Sequence, residues 1–318
     1  MDNKCGNSDC TKSSPDPDSL QWCSRCRKTA YCSRECQSAA WSSHKGACFR
    51  PNYIIKFHLS PGHITNPPVT RTLSCPAHAV FYMLHLALQT AFGWATTHSF
   101  DIAVLDPNYR EPANAVEALT RHSIAMSQQV SPSDPREYTF RVVDPVEHTM
   151  FSGIDRAHEP TRRHPNTLEK KADKYKLFQL LDDAQFQNHQ IVYTYDFGDN
   201  WEHHFTVLGR ADSTDNFICL DGSGHYVAED SRGVSGWEDL KAAYQTQNPT
   251  KEQRQRRQWF ERQASNPDPK GLAGDRVEAW DRDKINRELE TDTMLRRFQA
   301  RGPSTLRDEA SLIVQSRR

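Results

Sequence analysis

The chain has 318 residues, of which 40 are Lys or Arg and 41 are Asp or Glu, and 36% are hydrophobic. Because the charges nearly cancel, the chain has no net electrostatic field that would attract nucleic acid or an anionic membrane surface. No stretch approaches the roughly 18 consecutive apolar residues of a membrane span. The length allows one small module with one or two ordinary domains, and the low hydrophobic fraction predicts a modest core with substantial polar loops.

The N-terminal segment carries metal-ligating side chains at short intervals. Seven of the nine cysteines lie there with one histidine, in the order Cys5, Cys10, Cys23, Cys26, Cys32, Cys36, His44 and Cys48. Eight ligands make two sets of four, the number that zinc takes in closed structural sites. Because so short a segment buries too little apolar surface to fold alone, bound metal would supply the missing stability.

A disulfide framework is the alternative for these cysteines, and it needs an oxidising compartment. Residues 1–4 lack the apolar run of a secretory signal. Seven thiols are an odd number for disulfides, whereas seven thiols and one imidazole are an even number of zinc ligands. We therefore expect zinc and a reducing compartment, the cytoplasm or the nucleus. Cys75 and Cys219, outside this segment, are expected to be small buried residues.

The segment from Tyr31 to Cys48 resembles the MYND-type zinc finger, through the run Tyr-Cys-Ser-Arg-Glu-Cys-Gln followed by Trp41, His44, Lys45 and Cys48. The resemblance implies an interleaved cross-brace in which each zinc takes two separated pairs of ligands. One zinc would take Cys5, Cys10, Cys32 and Cys36, and the other Cys23, Cys26, His44 and Cys48. The first knuckle is the pair Cys5 and Cys10, and the spacing between these two cysteines is wider than is usual in the family. This wider spacing leaves Asp9 as an alternative ligand to Cys10. The loop 11–22 is also long, with a turn-rich stretch at 13–18.

MYND fingers bind short proline-containing peptides, and the groove of the family maps onto Ser33, Gln37 and Trp41. Residues 1–50 hold eight Lys or Arg and five Asp or Glu, and seven thiolates with two zinc ions bring this charge to zero. A neutral finger is a poor phosphate binder. We therefore expect a protein or a short proline-containing peptide as partner and no nucleic acid on the finger. Alternatively, Trp41 only packs against the zinc ligands.

After the finger, periodicity and turn residues predict both helices and strands. Strands or extended segments are predicted at 53–59, 67–73, 100–105, 138–143, 191–196 and 201–208. Helices are predicted from a cap at Ser74 to Gly93, and at 113–120, 168–181, 237–244 and 285–297. Residues 152–166 are predicted to form a loop. The last two strands form a hairpin around the turn Phe-Gly-Asp-Asn.

Three blocks of this part resemble the plasmid pRiA ORF-three-like domains, which are related to transposon passenger proteins. The blocks lie at 84–100, 193–203 and 219–238, and the second reads Tyr-Thr-Tyr-Asp-Phe-Gly-Asp-Asn-Trp-Glu-His. The resemblance implies an α+β domain with a largely antiparallel sheet and no established activity. The chain departs from the family at Ser231, where the family has a cysteine, and at Thr70, Val227 and Ala228. We expect the finger at 1–50, this domain at 51–295 and a flexible tail at 296–318.

The hairpin block permits two interpretations. Asp196, Asp199 and His203 could meet Glu229 and Asp230, and such a cluster could bind Mg²⁺, Mn²⁺ or Zn²⁺ and activate water in a metal-dependent hydrolase or a nucleic-acid-processing enzyme. Alternatively, the aspartates hydrogen-bond the turn backbone and His203 is partly buried. We favour the second interpretation, so no catalytic residue is assigned and the chain is expected to be a binding protein.

Overall fold

The coordinates form a computed structural model that describes residues 4–11, 19–145 and 158–301. The expected loops at 13–18 and 152–166 and the expected tail at 296–318 therefore fall wholly or partly outside the described residues. The finger contains short elements: β1 Gln21–Trp22, β2 Ala30–Tyr31, α1 Arg34–Ala39 and α2 Trp41–His44. The two strands pair antiparallel. Its small core combines zinc-ligand cysteines with Tyr31 and Ala40, so little apolar surface holds it together.

The larger part of the chain is built on one mixed sheet. Its strands, within the described ranges, are β3 Asn52–Leu59, β4 Thr70–Cys75, β5 Phe100–Leu105, β6 Tyr138–Val143, β7 Leu168–Lys171, β8 Ile191–Tyr195, β9 Trp201–Ala211 and β10 Ile218–Ser223. Their order across the sheet is β10-β4-β3-β9-β8-β5-β6-β7. Every neighbouring pair is antiparallel except β6 and β7. The expected fold class, a cross-braced finger followed by an α+β domain with a largely antiparallel sheet, is confirmed.

Helices surround this sheet. In the described part of the chain they are α3 Phe81–Phe92, α4 Ala115–Met126, α5 Leu177–Leu181, α6 Gly233–Gln245, α7 Lys251–Arg262, α8 Arg282–Thr291 and α9 Thr293–Arg301. Helix α3 is the central one, and eleven of its twelve residues are buried. It lies across the sheet, because His85 stacks on Phe100 of β5 and Phe92 meets His203 of β9 edge to face.

Two helix predictions are wrong at their N-terminal ends, and strand pairing explains both. Ser74 does not cap α3, because Ser74 and Cys75 belong to β4 and pair with β3. Helix α3 begins at Phe81 instead. Residues 168–171 form β7 and pair in parallel with β6, so the predicted helix at 168–181 is reduced to Leu177–Leu181.

The predicted helix at 285–297 is two helices. The side chain of Asp292 accepts hydrogen bonds from the backbone N–H groups of Met294 and Leu295. An aspartate in this position caps a new helix, so α8 ends at Thr291 and α9 begins at Thr293.

Candidate metal centres

The first cluster of the finger consists of four cysteines from two separated segments. The sulfurs of Cys5, Cys10, Cys32 and Cys36 all lie within 4.8 Å of one another. The Sγ atoms of Cys10 and Cys32 are 3.6 Å apart, and those of Cys32 and Cys36 are 3.4 Å apart. Zinc–sulfur bonds of ~2.3 Å in a tetrahedron would separate the sulfurs by roughly 3.8 Å, so the four sulfurs fit one zinc ion.

Local turns place two of these sulfurs. The Asn7 carbonyl accepts from the Cys10 N–H at 3.1 Å, which closes the wide first knuckle. The Ser33 hydroxyl accepts from the Cys36 N–H and caps α1, which puts Cys36 in the first turn of that helix. The cluster includes Cys10 and not Asp9. The longer knuckle therefore still delivers a cysteine to the site.

The second cluster consists of Cys23, Cys26, His44 and Cys48, again with all ligand atoms within 4.8 Å. The Sγ atoms of Cys23 and Cys48 are 3.6 Å apart, and Cys26 Sγ lies 3.6 Å from His44 Nε2. The three cysteines are buried and His44 is half-buried. In chain order the two clusters alternate, which is the expected cross-brace. Each set supplies four ligands, so both are closed structural zinc sites with no open position for catalysis.

The three predicted peptide-contacting residues lie on α1 and at the start of α2. Ser33 is the N-cap residue of α1 and Gln37 lies within α1, and both are half-buried. Trp41 is the first residue of α2. The Trp41 ring meets the His44 ring edge to face, with 6.0 Å between centroids, yet 41% of Trp41 is exposed. Trp41 therefore touches a metal ligand and also presents a large aromatic surface to solvent.

A third group lies at the tip of the β8–β9 hairpin. His98, Asp196 and Asp230 place a ring nitrogen and two carboxylate oxygens within 4.8 Å of one another. The Nε2 atom of His98 is 3.0 Å from Asp230 Oδ1 and 3.6 Å from Asp196 Oδ2. Glu229 Oε1 stands 4.0 Å from the same nitrogen. Three carboxylates thus surround one imidazole.

These carboxylates differ in their surroundings. Glu229 is fully buried and accepts from the Tyr195 hydroxyl, the Thr97 hydroxyl and the Ala95 N–H. Asp230 is half-exposed on its side chain and accepts from the Ser265 hydroxyl. Among the described residues, His98 is the one basic side chain ion-paired with any of the three. The group therefore carries excess negative charge, which a divalent cation would balance.

Asp196 has a second task in the turn. Its backbone is left-handed (φ 56°), and its Oδ1 accepts from the N–H groups of Gly198 and Asp199. Burial raises the pKa of Asp196 to about 6. Asp199 turns away from the group, and its carboxylate accepts from the Arg232 N–H. Asp196 therefore holds the turn, whereas the Asp199 carboxylate binds the backbone just before α6 and not the turn.

His203 does not reach the hairpin group. It is fully buried, its Nε2 accepts from the Trp94 indole, and its Nδ1 faces the carbonyls of Tyr193 and Trp201. Burial lowers the pKa of His203 to about 3, so the ring is neutral. His203 was predicted for this group, and the structure places His98 there instead. His98 belongs there, because the pairing of Phe100 with Tyr195 brings the segment just before β5 beside the end of β8.

Family models identify both parts of the chain. The model described as plasmid pRiA4b ORF-3-like protein matches residues 53–288. The chain belongs to this family. A MYND finger model matches residues 3–48, so this plasmid pRiA4b ORF-3-like protein carries an N-terminal MYND finger in the expected order.

Other comparisons are sparse. A crystal structure of a protein of unknown function from Methanosarcina mazei Go1 is 20% identical, covers 73% of this chain and 96% of its own, and has a TM-score of 0.46. No match to the chain is found among curated proteins. Among the helices that the structure describes, none has the length and apolar character needed to cross a bilayer.

Proposed function

We propose that the finger recruits a protein partner by binding a short proline-containing segment along Ser33, Gln37 and Trp41. MYND fingers are protein-interaction modules, and this one is neutral once it is loaded with zinc. The observation that carries the proposal is the exposed indole of Trp41 next to a structural metal ligand. A rigid aromatic surface that is held by the zinc site loses little entropy on binding, and such residues often dominate interface energies.

We also propose that the protein works in a reducing compartment, the cytoplasm or the nucleus, because the cysteine ligands bind zinc as thiolates and must not be oxidised. We assign no reaction to the finger. Both zinc sites have complete ligand sets, so neither metal has a position at which it could activate water.

The test compares two tryptophans of the same finger. Trp41→Ala and Gln37→Ala are measured against Trp22→Ala, because Trp22 is also exposed (49%) but lies in β1. The probe is a panel of short synthetic peptides that contain proline, with a second panel in which each proline is alanine. We expect the binding of proline peptides to weaken about 30-fold in Trp41→Ala, from an anchor worth ~2 kcal/mol, and to be unchanged in Trp22→Ala.

Zinc content is measured on every variant by native mass spectrometry. Loss of zinc in Trp41→Ala would show that the indole only packs against the ligands. Equal binding of the two peptide panels, or full binding by both Trp41→Ala and Gln37→Ala, would show that this groove is not the binding site for proline-containing peptides.

A second candidate function belongs to the α+β domain. The group of His98, Asp196 and Asp230, with Glu229 behind it, favours a divalent-cation site and hence a metal-dependent hydrolase or nucleic-acid-processing enzyme. Hard cations such as Mg²⁺ and Mn²⁺ prefer carboxylate oxygens, and one imidazole is compatible with Mn²⁺. The exposed side of Asp230 leaves a path for solvent, so bound cation could keep water ligands.

The test for this candidate uses Mn²⁺ and the zinc-loaded full chain. A rise in the melting temperature with Mn²⁺ is expected in the wild type and in Asp199→Asn, and it is expected to disappear in His98→Gln and Asp196→Asn. Asp199 is the matched control, because it lies in the same turn but outside the group. If Mn²⁺ does not raise the melting temperature of the wild type, or raises that of all four proteins equally, the group does not bind a divalent cation and this candidate function is wrong.

A further inference from the structure

The two zinc clusters of the finger differ in exposure. In the second cluster, Cys23 is 2% exposed and Cys26 and Cys48 are 1% exposed each. In the first cluster all four ligands are half-buried, namely Cys5, Cys10, Cys32 and Cys36. A small solute that approaches from water therefore meets the thiolates of the first cluster, whereas the protein covers those of the second.

The two clusters also differ in charge. Four thiolates around one Zn²⁺ leave two negative charges, whereas three thiolates and one imidazole leave one. Within two residues of its ligands, the first cluster has three basic and two acidic residues, and the second has five basic and no acidic residues. Positive charge beside a thiolate stabilises it and lowers its nucleophilicity. The first cluster is therefore the more reactive one toward an electrophile.

Sulfur atoms of the first cluster are close enough for a disulfide to form. Cys32 Sγ lies 3.4 Å from Cys36 Sγ and 3.6 Å from Cys10 Sγ, and an S–S bond is ~2.05 Å long. Cys23 and Cys48 of the second cluster are also 3.6 Å apart. Distance therefore does not distinguish the clusters, and exposure and charge decide which one is oxidised.

The first cluster also supports part of the proposed peptide groove. Cys36 lies in the first turn of α1, Ser33 caps this helix and Gln37 lies within it. The helix has six residues and none of them is buried, and a helix this short is not stable by itself. The bond between Cys36 and zinc therefore supplies the main support for α1 and for the two groove residues on it.

We propose that a peroxide oxidises the first cluster, releases its zinc and thereby switches off peptide binding, while the second cluster keeps its zinc. Cys32 is one partner of the disulfide that forms, because its Sγ is near two other sulfurs. The consequence for peptide binding rests on the proposed function of the finger, whereas the oxidation itself does not.

The reaction uses hydrogen peroxide as the oxidant. One thiolate attacks a peroxide oxygen, the O–O bond breaks, and a sulfenic acid and a hydroxide ion form. A second thiolate of the cluster attacks the sulfenic sulfur, so that an S–S bond forms and a second hydroxide ion leaves. Each hydroxide takes up a proton from the solvent, so two thiolates and one hydrogen peroxide give one disulfide and two water molecules. The two remaining thiolates are too few ligands for a closed zinc site, and the zinc dissociates.

The test treats the zinc-loaded full chain with hydrogen peroxide and follows its zinc content by native mass spectrometry. We expect a species with one zinc ion and one disulfide to accumulate, because the first zinc should be lost at least about tenfold faster than the second. Peptide mapping should place the disulfide among the cysteines of the first cluster. Loss of both zinc ions at one rate, or a first disulfide within the second cluster, would overturn the inference.

Cys219→Ser is the matched control. Cys219 is a buried thiol outside the finger, so its removal should leave the rate of loss of the first zinc within about twofold of the wild type. A clear slowing in this variant would show that the oxidant acts first at Cys219, which contradicts direct oxidation of the first cluster.

Binding of the proline-containing peptides is measured before oxidation, in the species with one zinc ion, and after treatment with dithiothreitol and zinc. We expect it to weaken at least about tenfold in the species with one zinc ion and to return after reduction. Unchanged binding in that species would overturn the switch. If the untreated chain binds none of the peptides, the proposed function is wrong, whereas selective loss of the first zinc would still support oxidation of the first cluster.

Discussion

Asp196 uses its two carboxylate oxygens for different purposes. Oδ1 accepts the N–H groups of Gly198 and Asp199 in the turn, and Oδ2 faces His98 at 3.6 Å. From the sequence alone these two roles are alternatives, and the structure permits both. A turn role can be read from the local sequence, whereas the partner of Oδ2 depends on strands that are far apart in the chain.

Substitutions of Asp196 test its role in the turn separately from its role beside His98. Asp196→Asn keeps the acceptor oxygen and tolerates a positive φ, so we expect almost no loss of stability. Asp196→Ala loses both properties, and we expect it to lower the free energy of unfolding by about 1–2 kcal/mol. Urea unfolding of the full chain measures the difference. Equal stability of the two variants would contradict the turn role.

His85 is a buried neutral histidine in the core. It stacks on Phe100 with 3.7 Å between ring centroids, and its Nδ1 lies 2.9 Å from the Tyr193 hydroxyl. The Gln89 amide donates to the same hydroxyl, so the hydroxyl donates to Nδ1. Burial lowers the pKa of His85 to about 3.

The lowered pKa of His85 predicts a pH dependence of stability. Between its unfolded pKa of ~6.5 and about 3, the unfolded state binds a proton that the folded state does not, so stability falls as the pH falls. His85→Gln should therefore reduce the slope of unfolding free energy against pH by up to about 1.4 kcal/mol per pH unit in this window. Denaturant unfolding at several pH values measures it. Parallel curves for the wild type and the variant would contradict the assignment.

At the scale of elements, the most accurate predictions concern segments whose patterns are local. The strands at 100–105 and 138–143 have the predicted bounds, and the β8–β9 hairpin is found around the predicted turn. Predictions failed where pairing with a strand that is distant in the sequence determines the secondary structure of a segment. β7 reads as the start of a helix, and only its pairing with β6 makes it a strand.

The end of α3 was predicted from Gly93, and the structure gives the reason. Gly93 has φ 70°, and the Trp94 N–H donates to the Gln89 carbonyl, as in a glycine-terminated helix. A Cβ at this position would lie 3.0 Å from the Tyr226 ring. Both conditions disfavour larger residues at 93.

Gly93→Ala is therefore expected to destabilise the protein by about 1–2 kcal/mol, from the left-handed backbone alone. Gly62→Ala is the control, because an added Cβ at 62 meets nothing within 4 Å, and we expect it to stay within about 0.5 kcal/mol of the wild type. Thermal unfolding of both variants measures the contrast. A Gly93→Ala variant as stable as Gly62→Ala would show that the helix end adapts without cost.

At the scale of the whole molecule, two kinds of contact join the finger to the sheet. Lys28 pairs with Asp212 at 2.7 Å, and both side chains are exposed, so this pair adds little stability. Arg50 pairs with Asp182, whose carboxylate also accepts from the Tyr53 hydroxyl at 2.7 Å. The apolar core of the finger is separate from that of the sheet. We therefore propose a domain boundary at residues 50 and 51.

Metal removal tests this boundary. The finger has few buried apolar side chains, so it should unfold when a chelator removes zinc. The sheet keeps its own core and should remain folded. Hydrogen exchange followed by mass spectrometry is expected to show lost protection within residues 4–48 only. Equal loss of protection in β3, β4 and β9 would contradict independent folding of the two parts.

The zinc ligands were the most predictable site, because their identity and spacing lie within one short segment. The group around His98 was not fully predictable, because it depends on the pairing of β5 with β8 and on the course of the chain at 229–230. From the sequence alone, either His98 or His203 could belong to this group. Only the pairing of the strands determines that His203 is buried and that His98 is not.

The two zinc sites of the finger are tested most directly by native mass spectrometry of the intact chain. The chain should carry the mass of two zinc ions, one for each set of four ligands. All nine cysteines should react as free thiols after denaturation and metal removal. A metal-free chain, or three or more disulfides in freshly isolated protein, would contradict the account.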